Sequence, residues 1–180
     1  MKPLTIVMTL AGGVILSGCS SFQWAMHGAT LSDANVLAML DIINLSEIDS
    51  ADLAKEKSSS EEVRTFASRL LNEHTAMMQE TRQLAQQINI DPQMPVLASI
   101  VGKRHQETME ELRRMSGADF DQAYLKYQIK MHERAIDLVQ HTAESVDNRR
   151  LHHYLKGARQ DLLTHVSTAS PIERYVVARY

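Results

Sequence analysis

Hydrophobic residues recur at three- and four-residue steps along five segments of the chain, the pattern of helices with one buried face. Serine residues precede the first two segments and are favoured N-caps. The predicted helices span residues 33–57, 61–89, 96–115, 119–147 and 149–169. Pro171 is expected to end the last helix, because proline lacks the backbone N–H that a helix interior needs.

The third segment is more polar than the other four, so we interpret it as a connecting helix that partly covers a bundle of the others. The chain of 180 residues suits one domain, and its low content of seven Gly and four Pro favours helix. The sequence therefore predicts an all-α, antiparallel four-helix bundle over residues 32–170, with an extra connecting helix and a tail at 171–180.

The N-terminus has the features of an export signal. Lys2 precedes an apolar stretch, residues 4–16, that is too short for a membrane span of about 20 residues. Leu16-Ser17-Gly18-Cys19 follows and resembles the bacterial lipobox, in which the Cys is lipidated after cleavage before it. We predict a signal peptide at 1–18 and a lipidated Cys19 with a tether at 19–31; a chance Cys in an ordinary signal is the alternative. Ser20, by resemblance to lipoprotein sorting, indicates the periplasmic face of the outer membrane.

Charge and composition exclude several classes of function. The chain has 19 Lys and Arg against 22 Asp and Glu, a net charge of −3, so nucleic acid is not an expected partner. A single Cys excludes a disulfide within the chain. No Gly-rich phosphate loop or Ser-His-Asp order is present, and an enzyme is less favoured than a binding or structural protein.

Four helices each place one titratable side chain on the apolar stripe. These four residues are Glu47, His74, His132 and His165. The first two lie 12 and 15 residues from the turn at Ser59, and the last two lie 16 and 17 residues from the turn at Asn148. Since a helix rises about 1.5 Å per residue, the members of each pair are expected at similar heights. The connecting segment leaves open whether both pairs share one layer.

Buried imidazole and carboxyl groups are costly unless they bind a metal or one another. Three neutral imidazoles and one carboxylate suit a mononuclear transition metal, Zn, Cu, Fe or Mn. The alternative is a metal-free hydrogen-bond network between Glu47 and a protonated His. Asp161, one turn before His165, could orient that ring in either case. Methionines near the layer could add soft ligands for copper, but their helical spacing favours core packing; they are Met77, Met78 and Met131.

A sequence pattern in the fourth segment resembles that of a known family. The pattern is Phe120-Asp121-x-x-Tyr124-Leu125-x-x-Gln128-x-x-x-His132. It is similar to the signature of a bacterial family of unknown function, predicted periplasmic and outer-membrane proteins grouped with the ferritin-like four-helix bundles. The resemblance covers about residues 33–169 and implies a ferritin-like bundle without an established reaction. We expect Tyr124, like Asp161, to lie just outside the ligands.

The sequence departs from ferritin-like diiron enzymes, which use Glu-x-x-His on two of their helices. Leucine or isoleucine stands three residues before each histidine, at Leu71, Ile129 and Leu162. The sequence therefore disfavours diiron chemistry.

Two functions remain open. One is a metal-binding lipoprotein of the outer membrane, and the other is a structural or interaction lipoprotein whose Glu/His cluster only fixes helix register. A redox enzyme is the least favoured. Four further histidines are expected on the solvated surface; they are His105, His141, His152 and His153.

Overall fold

The computed structural model describes residues 31–179. This part of the chain forms five helices and contains no strand. They are α1 (Asp33–Lys57), α2 (Glu61–Ile88), α3 (Val96–Arg114), α4 (Gly117–Ala143) and α5 (Arg149–Arg179). The predicted fold class, an all-α bundle with an extra connecting helix, is confirmed.

Local sequence explains where the first helices begin and end. The Ser32 side chain accepts from the Asn35 backbone N–H, and the Asn35 side chain accepts from the Ser32 backbone, so α1 starts with a capping box. The Ser60 side chain caps α2 by accepting from the Val63 backbone N–H. Asn89 then ends α2 in the left-handed conformation, with a φ of 54°, which asparagine tolerates better than most residues.

Contacts at the two ends of the bundle fix the helix directions. The Asp33 carboxylate accepts from the backbone N–H groups of Asp147 and Asn148, so α1 begins beside the turn between α4 and α5. At the other end the Ser58 hydroxyl donates to Asp121, so α1 ends where α4 begins. Helices α1 and α4 are therefore antiparallel. Helix α3 carries the chain back from one end of the bundle to the other.

The core consists of two apolar clusters, one toward each end of the bundle. One includes Leu40, Leu138 and Leu155, and the other includes Phe66, Phe120 and Leu125. The four long helices α1, α2, α4 and α5 contribute to both clusters. Along each of these helices, the buried polar side chains predicted to form a site fall between the residues of the two clusters.

Helix α5 continues through Pro171 to Arg179, so the predicted helix end at this proline was wrong. Ala169 and Val176 are buried in the same cluster on either side of the proline, with exposed fractions of 1% and 2%. Burial of this apolar face compensates for the backbone hydrogen bond that Pro171 cannot make. Helix α4 ends at Ala143, four residues before the expected end.

The predicted signal peptide, the tether up to residue 30 and Cys19 lie outside the described residues. Among the helices that are described, none combines the length and the hydropathy of a membrane-crossing segment.

Candidate metal centre

A polar layer crosses the bundle between the two apolar clusters. His74 on α2, His132 on α4 and His165 on α5 have at most 1% of their surface exposed. Glu47 on α1 is equally buried. The pair Glu47 and His74 and the pair His132 and His165 thus lie in one layer of the bundle.

Three imidazole nitrogens converge in this layer. The His132 Nε2 atom lies 3.3 Å from His74 Nε2 and 2.9 Å from His165 Nδ1. All three nitrogens lie within 4.8 Å of one another. Two imidazole ligands of a tetrahedral zinc ion, each about 2.0 Å from the metal, are roughly 3.3 Å apart. The spacing is close to that of a metal-binding set.

The other nitrogen of each ring faces a hydrogen-bond acceptor. His74 Nδ1 lies 2.9 Å from Asn44 Oδ1, and His132 Nδ1 lies 2.8 Å from the backbone carbonyl oxygen of Gln128. His165 Nε2 lies 2.6 Å from Glu73 Oε2. Because carbonyl and carboxylate oxygens only accept, each ring carries its hydrogen on this outer nitrogen. A metal-binding histidine typically has the same second hydrogen bond, which fixes its tautomer.

Burial keeps these rings neutral. It lowers the pKa of His132 to about 3 and the pKa of His74 well below its usual range, and the neighbouring histidines add to both effects. Burial also lowers the pKa of His165, although the hydrogen bond to Glu73 opposes the shift. At neutral pH each inner nitrogen therefore presents a lone pair instead of a proton.

A metal-free network leaves this arrangement unsatisfied. A neutral imidazole has one N–H group, and His74 and His132 both donate it to their outer partners. No hydrogen therefore lies between the two Nε2 atoms that face each other. Protonating either ring would supply one, but burial opposes the charge. A cation placed between the three lone pairs would satisfy all of them.

Glu47, predicted as the fourth ligand, does not face the three converging nitrogens. Its Oε1 atom lies 3.6 Å from His132 Nδ1, which is the outer nitrogen of that ring. Its Oε2 atom is buried and has no hydrogen-bond partner among the described residues. Burial raises the pKa of Glu47 to about 8, although a hydrogen bond from Gln128 opposes the rise. This carboxyl group is therefore mostly protonated at neutral pH.

The carboxylate in contact with the centre is that of Glu73, which the sequence analysis missed. Asp161 was expected to orient His165, but it lies exposed and the ring bonds to Glu73 instead. Arg69 Nε donates to Glu73 Oε1 over 2.8 Å. Partial burial opposes ionisation, but the bonds from Arg69 and His165 lower the pKa of Glu73. Its position immediately before His74 was the signal in the sequence, because this position places Glu73 at the edge of the apolar stripe, beside the buried layer.

Tyr124 lies fully buried on α4, with its ring parallel to that of Phe120 and the centroids 6.1 Å apart. Within residues 31–179, its hydroxyl group has no hydrogen-bond partner, and neither has Gln128 Oε1. Burial raises the pKa of Tyr124 well above its usual value, and Glu47, which is ionised at the high pH where the phenol would titrate, adds to the rise. Tyr124 is therefore a neutral, buried phenol.

Of the three methionines that the sequence offered as soft ligands, Met77 and Met131 are buried.

His105 was expected on the surface, but only 8% of it is exposed. Its Nδ1 atom lies 2.8 Å from the Tyr127 hydroxyl group, and its Nε2 atom lies 2.9 Å from Asp49 Oδ2. These partners lie on α4 and α1, so His105 ties the connecting helix α3 to the bundle. Because charged residues flank His105 in the sequence, the pattern did not indicate that its side chain faces the bundle.

A sequence model for a domain of unknown function, DUF4142, matches residues 21–172. The chain belongs to this family. A comparison with curated protein sequences finds no significant match.

Two solved structures share the fold of this DUF4142 protein. One is a protein assigned as secreted, of the type DUF305, from Streptomyces coelicolor. It has a TM-score of 0.69 at 10% identity, over 80% of this chain and 93% of that one. The other is CopM in its Cu(II)-bound form, with a TM-score of 0.64 at 11% identity, over 82% of this chain and 99% of that one. At these identities the likeness establishes the fold alone.

Proposed function

We propose that this protein is an exported, lipid-anchored bundle that binds one transition-metal ion through His74, His132 and His165. The observation that supports the proposal is the convergence of three lone pairs whose rings are held by outer hydrogen bonds. Copper is bound by the structural neighbour CopM, and imidazole ligands suit copper and zinc alike. The role we propose is metal handling in the periplasm.

The direct test is metal analysis of the purified full chain in detergent. Reconstitution with Zn(II) or with Cu(I) under anaerobic conditions should give one ion per chain. The double variant His74→Ala/His132→Ala should lose that ion. The matched control is His153→Ala, because His153 is an exposed histidine on α5. The control variant should keep full stoichiometry.

Thermal unfolding provides a second measurement. A metal that binds only the native state raises the melting temperature. At a free metal concentration of 100 times the dissociation constant, it stabilises the native state by about 2.7 kcal/mol. Metal-free protein whose melting temperature is unchanged by Zn, Cu, Mn and Fe would contradict the proposal. It would favour the structural lipoprotein with a buried hydrogen-bond network.

Anchoring is proposed from the sequence of the N-terminal segment, which lies outside the described residues. In a bacterial host, the chain should incorporate labelled fatty acid and fractionate with the outer membrane. Cys19→Ala should abolish the label. Two or three acyl chains bind a bilayer durably, so release by high salt would contradict lipid anchoring.

A further inference from the structure

Among the His, Cys, Asp and Glu side chains that the structure describes, the centre offers three donor atoms. The group of converging ligand atoms in the described part of the chain includes no fourth His, Cys, Asp or Glu. The nearby carboxyl group, that of Glu47, contacts the outer nitrogen of His132 and thus lies on the wrong side of that ring. The histidine, cysteine and carboxylate side chains that the structure describes therefore supply three ligand atoms, all of them nitrogen.

The donors also carry no charge. Each imidazole keeps its hydrogen on an outer nitrogen that is bonded to Asn44, Gln128 or Glu73. The carboxyl group bonded to the set is that of Glu73, which contacts the outer nitrogen of His165 and is 40% exposed. Glu73 is itself paired with Arg69, whose Nε atom lies 2.8 Å from Glu73 Oε1, so it supplies no spare negative charge. A monovalent ion therefore adds one uncompensated charge to the buried site, whereas a divalent ion adds two, which is more costly.

Burial limits access to a further ligand. Structural zinc sites are almost always four-coordinate, so Zn(II) would need a water or another donor beside the three histidines. The centre lies between two apolar clusters and its ligands are at most 1% exposed. Cu(I) has a filled d shell, forms stable three-coordinate complexes and needs no fourth ligand.

We infer that the three-histidine centre selects monovalent copper over divalent ions such as Zn(II). This inference rests on the proposed function, since it concerns the ion that the same site holds. The chemistry that decides is low charge together with a coordination number of three. Ag(I) shares both properties, so it is expected to follow Cu(I).

The test is a set of competition titrations on the full chain in detergent. Cu(I) is titrated anaerobically against a chromophoric Cu(I) chelator, and Zn(II) against a chromophoric Zn(II) chelator. The dissociation constant for Cu(I) should be lower than that for Zn(II) by at least about 100-fold, which corresponds to about 2.7 kcal/mol. Ag(I), which undergoes no redox change here, should displace Cu(I) with a stoichiometry of one.

The outcomes separate this inference from the proposed function. Zn(II) binding as tightly as Cu(I), with one ion per chain, overturns the selectivity and leaves a metal-binding bundle. Binding of neither ion overturns both.

A variant excludes copper held elsewhere, because the chain has ten methionines whose sulfur atoms attract Cu(I). His132→Gln keeps a side chain of similar size and should weaken Cu(I) binding strongly, whereas the exposed-site control His153→Gln should not. Equal Cu(I) affinity in the two variants would overturn the inference. Circular dichroism of His132→Gln checks that the helices persist, and the Cu(I)-to-Zn(II) ratio of the unmodified chain tests the inference without any variant.

Discussion

At the scale of single residues, the carboxylate of Glu73 connects the buried layer to solvent. One of its oxygens accepts from His165 over 2.6 Å, and the other accepts from Arg69 over 2.8 Å. These two bonds hold His165 with its Nδ1 lone pair toward the other rings. Glu73 is thus a positioning residue for the metal site.

Replacing Glu73 with Gln should weaken metal binding by about tenfold, because loss of a partner that orients a ligand typically costs 10–100-fold in affinity. The fold should be unaffected, since the side chain is partly exposed. Competition titration measures the affinity. Glu80→Gln, at an exposed position on the same helix, is the control. Equal affinities in the two variants would contradict a positioning role for Glu73.

Glu47 gives the metal-free protein a specific pH dependence. Its pKa is about 8 in the folded chain and 4.5 as the ordinary value, so the folded state binds the proton more tightly. Its contribution to the free energy of unfolding is fully present below pH 4.5 and is lost as the pH rises toward 8 and beyond. The slope in this range is at most about 1.4 kcal/mol per pH unit.

The variant Glu47→Gln should lack this loss. Urea unfolding of the metal-free protein at pH 5, 6, 7 and 8 should show the unmodified chain losing stability relative to the variant with each step. Glu111→Gln, at an exposed position on α3, should follow the unmodified chain. Parallel curves for the unmodified chain and Glu47→Gln would show that burial does not perturb this carboxyl group.

The sequence predicted that His74, His132 and His165 turn inward, because each lies on an apolar helical stripe and helical periodicity is a property of the local sequence. It could not assign the carboxylate. Glu47 lies on a stripe and Glu73 beside one, but the rotation of α1 and α2 about their axes decides which carboxyl group hydrogen-bonds to a ring. His105 was missed for a related reason: its partners on α1 and α4 are more than 20 residues away in sequence.

At the scale of helices, one buried aspartate joins three segments at the end of the bundle. Asp121 on α4 is fully buried and accepts from the hydroxyl groups of Ser58 and Ser59, over 2.5 and 3.0 Å. Ser58 and Ser59 form the turn between α1 and α2. Asp121 therefore fixes the α1–α2 hairpin against the start of α4, a structural role for a residue of the sequence pattern.

Asp121→Ala should destabilise the protein by about 3 kcal/mol, because hydrogen bonds to a charged group are lost and a buried hydroxyl group is left without its partner. Chemical unfolding measures the change. The control is Asp119→Ala, at an exposed position in the first turn of α4. It should lower the free energy of unfolding by at most about 1 kcal/mol, because it removes a favourable interaction with the helix dipole. Similar losses in both variants would contradict the role of Asp121.

The extension of α5 past Pro171 can be tested with two adjacent valines. Val176 is 2% exposed, whereas Val177 is 45% exposed. Val176→Asp should cost about 3 kcal/mol, because it buries a carboxyl group without a partner. Val177→Asp should stay within about 0.5 kcal/mol, as measured by thermal unfolding. Equal effects would mean that the helix does not pack in this region.

Helix starts were predictable because caps are local: Ser32 and Ser60 each bond to the backbone three residues on. The end of α5 was not, because the packing of Val176 against the rest of the bundle outweighs the local effect of Pro171. Tertiary contacts override local preference here, as they commonly do.

At the scale of the whole molecule, the direction of α3 determines whether the site exists. This helix returns the chain along the bundle, so that α4 starts beside the end of α1 and rises antiparallel to it. His132 then reaches the height of His74. The sequence predicted similar heights within each hairpin, since both residues of a pair were counted from one turn, but it could not relate the hairpins across the connecting helix.

X-ray absorption spectroscopy of the metal-loaded full chain tests the central claim most directly. We predict a first shell of nitrogen at about 2.0 Å, with the outer-shell scattering of three imidazole rings. His153→Ala should leave that spectrum unchanged, and His132→Ala should remove it. A first shell of oxygen or sulfur, or fewer than two imidazoles, would contradict a metal centre built from His74, His132 and His165.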